Sequence, residues 1–182
     1  MRSLLVADVE MVETEIEPGL KVFVCPASGG MWIPLQAFLT WKETRVKETT
    51  PLPKDYVFDL PNTSKRNALI CPDSGRLLNR FQVGRGLDFH IEQSPSTGSV
   101  WLDRGEWDAL KSKGLHAEMN LISTPSYQRQ VREEEYEKEL KETFRDRIGA
   151  DFGKVTEFKK WLKGHPKRRD ICVFLADESI EE

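Results

Sequence analysis

The chain has 182 residues, is 38% hydrophobic and 31% charged, and carries a net charge of −3. That is enough for one ordinary domain or two small ones. It excludes a protein that is basic over its whole surface, and, with no apolar run near the roughly 18 residues a span needs, a membrane-spanning helix. The start, Met1-Arg2-Ser3-Leu4-Leu5-Val6-Ala7-Asp8, is too short in its apolar part and too soon acidic for a signal peptide. Three cysteines are odd in number and sparse for a disulfide framework. A cytoplasmic protein is expected.

In chain order, residues 4–12 read as a strand, followed by a Pro18-Gly19 turn and a strand over 20–24. Cys25-Pro26-Ala27-Ser28-Gly29-Gly30 has the form of a metal knuckle, and a short helix or turn follows near 34–41. These make a first, truncated unit over 1–41. Residues 42–68 form a connector with Pro51, Pro53 and Pro61 and one strand-like run, Tyr56-Val57-Phe58. A complete second unit occupies 69–113. It has a knuckle at Cys71-Pro72-Asp73-Ser74-Gly75, a strand over 76–83, a turn at Gly84-Arg85-Gly86 and a strand over 87–91. A knuckle at Ser94-Pro95-Ser96-Thr97-Gly98, a strand over 99–102 and a helix over 104–112 complete it.

Residues 114–182 read as helical. Thr124 suits an N-cap with Pro125 at the first helical position. Tyr127, Val131, Tyr136, Leu140, Phe144 and Ile148 recur mostly every fourth residue, and Gly149 can close the helix. Phe152, Val155, Phe158, Trp161 and Leu162 line one face of a shorter helix ending at Gly164. The run 171–175 fits a helix opened by Pro166 or a short strand; we read it as helix, with Cys172 in a buried core.

Two parts of the chain repeat. At an offset of 69, Pro26 meets Pro95, Gly29 meets Gly98, Trp32 meets Trp101, and the aromatic Phe38 meets Trp107. With a two-residue gap, Gly19–Val24 parallels Gly86–Ile91. The identities fall on the residues that shape a knuckle, which argues for a duplicated unit.

The two knuckles of the second unit, with Trp101-Leu102-Asp103-Arg104-Gly105-Glu106 after them, resemble the TFIIB-type zinc-ribbon family of bacterial proteins. That family writes Cys-Pro-x-Cys-Gly, a hairpin, a second Cys-Pro-x-Cys-Gly-Gly, then x-Trp-Leu-Asp-x-Gly-Glu-Leu. The first unit's Cys25–Trp32 resembles the second half of that pattern. The resemblance covers about 19–39 and 69–113. It implies a small β unit around a structural zinc ion held by four ligands. This chain departs from the pattern at those ligands. The positions that match are Cys25 and Ser28 in the first unit and Cys71, Ser74, Ser94 and Thr97 in the second. Zinc needs about four tetrahedral ligands, mostly thiolate or imidazole, and neutral hydroxyls are poor substitutes. His90, four residues before Ser94, and a site shared by Cys25 and Cys71 still leave the set incomplete. We therefore expect no metal and no cofactor, with stability drawn instead from hydroxyl–backbone bonds and from Trp32, Trp101, Trp107, Phe81 and Phe89 packed between the units. The helical tail is expected to cover them.

No catalytic set stands out. Cys25 lacks a recognisable base among His90, His116 and His165, and Asp103 with Glu106 suits a capping box. Acids cluster at Glu133, Glu134, Glu135, Glu137, Glu139 and Glu142. Bases cluster at Lys154, Lys159, Lys160, Lys163, Lys167, Arg168 and Arg169. Solvated helix faces account for both. The basic stretch is also a nucleic-acid candidate, although Trp161 fits the apolar face of its helix better than a stacking platform. The expectation is an α+β protein of two metal-free, zinc-ribbon-like units with a helical C-terminal region. It would be non-enzymatic and would bind an unidentified protein partner, with nucleic acid as the alternative.

Overall fold

The computed structural model describes residues 1–45, 60 and 68–177. The proposed strand-like run at 56–58 and most of the connector lie outside them. Two compact units divide the chain, Met1–Glu134 and Glu135–Glu182.

The first unit is α+β. Six antiparallel strands form one sheet: β1 (Val12–Glu17), β2 (Leu20–Val24), β3 (Met31–Ile33), β4 (Asn79–Gly84), β5 (Leu87–Gln93) and β6 (Val100–Leu102). Their order is β1-β2-β3-β6-β5-β4. Each half is a hairpin plus a short third strand, and the halves join through their third strands. Trp32 pairs with Trp101, Met31 with Leu102 and Ile33 with Val100. The two tryptophans that align in the sequence repeat are therefore partners across the join. The halves match in detail. Each hairpin has a register shift at the same place, between Glu15 and Glu17 in one and between Gln82 and Gly84 in the other. Each turns on a left-handed glycine, Gly19 or Gly86.

The expected packing of the two units is thus a continuous sheet, and strand alternation decides what covers each face. Val22, Ile33, Phe89, Ile91, Val100 and Leu102 point to a core capped by helices. These are α1 (Leu35–Arg45), α2 (Glu106–Ser112), α3 (Met119–Ile122) and the start of α4 (Pro125–Ile148). Phe38 and Trp107, equivalent in the repeat, are buried there together with Trp41 and Leu110. Trp32, Trp101 and Phe23 point the other way, into a second cluster with Met11, Cys25, Leu69, Cys71 and Leu78. Trp32 and Trp101 are fully buried, and each such ring contributes a few kcal/mol, on the order of 2–3, by area removed from water.

Within the first unit, the start of α4 packs on the sheet. Tyr127 Oη donates to Val83 O at 2.8 Å and Gln128 Nε2 to Gln82 O at 2.8 Å. Val131 sits against Gly84, where a Cβ would lie 2.8 Å from the valine's Cγ2. Gly84 stands where the first half has Glu17, and the missing side chain is what admits α4. Thr124 caps α4, its Oγ1 accepting from Tyr127 N.

The second unit contains the rest of α4, a 3-10 turn at Gly149–Asp151, α5 (Phe152–Lys163) and α6 (Arg168–Ala176). The helix reading of 171–175 is what forms. None of its described side chains is buried. Two expectations fail here. Trp161 is 53% exposed rather than core, and Cys172 is exposed with Val173, Phe174 and Leu175 beside it. Periodicity shows that a helix has an apolar face, but not that anything in the same chain covers it.

The N-terminal segment also differs from the expected strand over 4–12. Val12 begins β1, and before it an isolated bridge joins Arg2 to Glu10, because the segment between folds into a turn described below. β3 was not foreseen as a strand. Its equivalent, β6, was.

Candidate functional site

The candidate site is the pair of former metal positions on the tryptophan face. Its local geometry follows from the knuckle turns. In the second of four knuckles (the first, at Ser3–Val9, is described below), Cys25 N donates to Gly30 O and Gly29 N to Cys25 O, both at 2.8 Å. Ser28 N points at Cys25 Sγ at 3.4 Å, and Gly30 N at Ser28 Oγ at 3.2 Å. The third knuckle repeats the turn, with Cys71 N to Arg76 O at 2.7 Å and Gly75 N to Cys71 O at 2.9 Å. So does the fourth, with Ser94 N to Ser99 O and Gly98 N to Ser94 O at 2.9 Å. There Ser96 N and Thr97 N converge on Ser94 Oγ at 3.3 and 3.2 Å, and Ser99 N donates to Thr97 Oγ1 at 3.3 Å. The hydroxyl thus accepts the backbone N–H bonds that a knuckle directs at sulfur. The glycines Gly29, Gly75 and Gly98 hold the left-handed conformation that ends the turn, with φ between 68° and 72°.

A further knuckle, the first in chain order, lies where the sequence shows none. Ser3 N donates to Val9 O at 2.8 Å, and Leu5 N and Val6 N converge on Ser3 Oγ at 3.3 and 3.2 Å. Asp8 takes the left-handed position at φ 60°. The first half is therefore not truncated. It has four ligand-type positions, Ser3, Val6, Cys25 and Ser28, matching Cys71, Ser74, Ser94 and Thr97 of the second half. The N-terminal knuckle is unreadable in sequence because it has neither Pro nor Gly nor Cys, and it is one residue longer than the others.

Each half keeps one thiol, on opposite knuckles. Cys25 and Cys71 are 0% and 1% exposed. Burial pushes each thiol up, but hydrogen bonds outweigh it and leave each below its ordinary range. For Cys25 they come from the Ser28 and Ser3 hydroxyls and the Ser28 and Ala27 N–H groups. For Cys71 they come from the Ser74 and Ser94 hydroxyls and the Asp73 and Ser74 N–H groups. This arrangement does not fit zinc. It offers one soft ligand per site, with two hydroxyls and Val6 in the first half and three hydroxyls, Ser74, Ser94 and Thr97, in the second. Among the described residues, no three or more His, Cys, Asp or Glu side chains are grouped to hold a metal ion. His90 lies on β5 opposite Gln82. A cleft of about 440 Å³, lined by residues 1–4 and 68–72, opens beside the Ser3 and Cys71 knuckles and brings no histidine or carboxylate to either thiol.

Asp103 and Glu106 have a structural role, though not quite the capping box expected. Glu106 Oε2 accepts from Asp103 N at 2.7 Å, while the Asp103 carboxylate accepts from Trp101 Nε1 at 3.0 Å instead of capping α2. Asp103 thereby ties the central tryptophan to the helix that follows it.

One buried polar group escaped the sequence. Glu17 pairs with Lys111 and accepts from Trp107 Nε1 at 3.4 Å. Beside them His116, 7% exposed, sits between the Trp41 and Trp107 rings at centroid distances of 5.9 and 5.7 Å. Neither of its ring nitrogens has a hydrogen-bond partner among the described residues. Burial and the Lys111 charge hold His116 below its ordinary pKa, against the opposite pull of Glu17. These side chains come from four separate elements, so no spacing in the sequence announces them.

The basic residues Lys159, Lys160 and Lys163 lie on α5, Lys167 precedes α6, and Arg168 and Arg169 open it. Compared with known proteins, the chain matches no family model, no curated protein and no solved structure. No helix among the described residues is long and apolar enough to cross a membrane.

Proposed function

We propose that this chain is a non-enzymatic protein-interaction module of the cytoplasm, in which a metal-free double ribbon of zinc-ribbon type forms the base and the second unit offers the contact surface. The observation that carries this reading is the surface of residues 135–177. Nine large apolar side chains are exposed there, among them Tyr136, Leu140, Phe144, Phe158 and Trp161, and none of the described residues is buried. Exposed apolar side chains in this number support a binding role. The two ribbon thiols support a structural role for the base, since both are buried and hydrogen-bonded in place. The test is capture from the native cell by the intact chain, compared with Phe144→Asp and Phe158→Asp. A specific protein retained by the first and lost by both variants, with near-UV circular dichroism unchanged, supports the reading. Equal retention by all three sinks it.

A second reading, nucleic-acid binding through Lys159, Lys160, Lys163, Lys167, Arg168 and Arg169, gains from one observation. Trp161 is 53% exposed near these cations, its ring lying against His165 at a centroid distance of 4.6 Å, and its exposed part is the surface a base would stack on. A salt-dependent mobility shift with single-stranded DNA or RNA, abolished by charge reversal at Lys160, Lys163, Arg168 and Arg169, would favour it. No shift at low salt would dismiss it.

A further inference from the structure

The two ends of the sheet are closed differently on the helix face. At Gly84 the missing side chain admits Val131 of α4. At the equivalent position Glu17 a carboxylate is buried, and it holds on to the other half of the repeat. It pairs with Lys111 and accepts from Trp107 Nε1, both on α2. The imidazole of His116 completes the group from the 3-10 turn His116–Glu118, lying against the Trp41 and Trp107 rings. Both of its nitrogens are buried without a hydrogen-bond partner among the described residues. A buried donor or acceptor left unpaired destabilises the fold, and a phenyl ring would fill the same aromatic slot without that cost. Packing alone therefore does not account for a histidine. What an imidazole adds is the uptake of a proton close to neutral pH.

Few charges face the ring. β1 presents Glu17 and α2 presents Lys111, and these two are the charges that act on it. α1 presents Trp41, while its Lys42 Nζ donates to Asn120 Oδ1 at 3.2 Å. Glu106 of α2 turns back to Asp103 N, α3 has no titratable side chain, and Glu118, on the same turn as the ring, is exposed. Neutral His116 leaves Glu17 to Lys111 and Trp107. The imidazolium has two N–H donors and, among the groups facing it, one carboxylate to receive them. His116 is too buried to reach water, whereas a lysine stem stays packed while its ammonium reaches the surface. We propose that these side chains form a proton-operated latch: when His116 takes up a proton from solvent, Glu17 passes from Lys111 to the imidazolium, and the Lys111 ammonium is released to water. The end of the edge strand β1 then loses its tie to Lys111, and acid loosens the hold of one half of the repeat on the helix of the other. The latch lies in the first unit and does not depend on the interaction reading of residues 135–177.

The experiment is an NMR titration of the full chain from about pH 7.5 to about pH 4.5, following the His116 ring protons and the Lys111 Cε and Nζ signals. Both residues are expected to shift together, with one midpoint below the roughly 6.5 of a free histidine. Lys111 should move from the values of a paired ammonium to those of a solvated one as His116 is protonated. Lys111→Met removes the competing cation and raises the His116 midpoint. Glu17→Gln removes the carboxylate that is exchanged: His116 then titrates lower, and Lys111 shows solvated values at every pH. A merely structural histidine would leave Lys111 unchanged throughout. His116 titrating while Lys111 stays paired overturns the proposal. So does a midpoint at or above that of a free histidine, an absence of any titration over this range, or a midpoint that Lys111→Met leaves unmoved. If Glu17→Gln fails to fold, the unsubstituted chain and Lys111→Met decide the matter between them.

Discussion

If the knuckles are metal sites whose ligands were replaced, returning the thiols should return the metal. Consider Ser74→Cys, Ser94→Cys and Thr97→Cys, leaving Cys71 in place. The Ser74 and Ser94 hydroxyls already hydrogen-bond to the Cys71 thiol, so their oxygens lie within hydrogen-bond reach of the sulfur. Thr97 Oγ1 accepts from Ser99 N as Ser28 Oγ does from Gly30 N, which places it at the second ligand position of its knuckle. Four sulfurs at about 2.3 Å from zinc stand about 3.8 Å apart, a small expansion from hydrogen-bond contact. Zinc held a thousandfold above its dissociation constant would then stabilise the fold by about 4 kcal/mol. For a unit the size of Met1–Glu134 that corresponds to a rise in Tm of about 10–15 °C. Metal analysis should find one zinc per chain, and thermal melts with and without chelator should differ by that margin. The same experiment on the first half, Ser3→Cys, Val6→Cys and Ser28→Cys with Cys25, tests the N-terminal knuckle that only the structure shows. A well-folded variant that takes up no zinc would refute the claim that these four positions form a tetrahedral set.

Two further outcomes follow from the core. A Cβ on Gly30 would lie 2.3 Å from Trp101 Cζ2, so Gly30→Val is expected to cost about 3 kcal/mol or more in urea unfolding by overpacking the join; a change under about 0.5 kcal/mol, the ordinary range for a surface site, would mean the tryptophan face is loosely packed. His116 has a folded pKa below the roughly 6.5 of the unfolded chain, so the unfolded state binds more protons on acidification. Its contribution is complete above that pH and falls as the pH drops below it, by up to about 1.4 kcal/mol per pH unit. His116→Phe should flatten the slope between pH 6.5 and 5, and an unchanged slope would place the acid sensitivity elsewhere.

The parts legible from sequence were those whose geometry is local. Pro and Gly with a hydroxyl or thiol between them spell a turn closed by bonds across four or five residues, and three of the four knuckles were found that way. The offset of 69 anticipated that the halves are equivalent. The helix from Pro125 to Ile148 and the turn at Gly84–Gly86 were set by cap and turn residues. The first knuckle was missed because backbone bonds to Ser3 Oγ do its work without any marker residue. Strand β3, three residues long, is too short to show a period.

What the tertiary structure decided is everything that depends on residues far apart in the chain. Equivalent halves could have packed back to back, but the pairing of Trp32 with Trp101 merges them into one sheet. Gly84 in place of Glu17 then lets the start of α4 onto one end of that sheet, while Glu17 is left to pair with Lys111 beside His116, whose ring nitrogens have no hydrogen-bond partner among the described residues. The apolar periods of α4 and α5 were plain in the sequence, yet their exposure was not. A helix period reports that a face wants burial, and only the fold shows whether the chain itself supplies the cover.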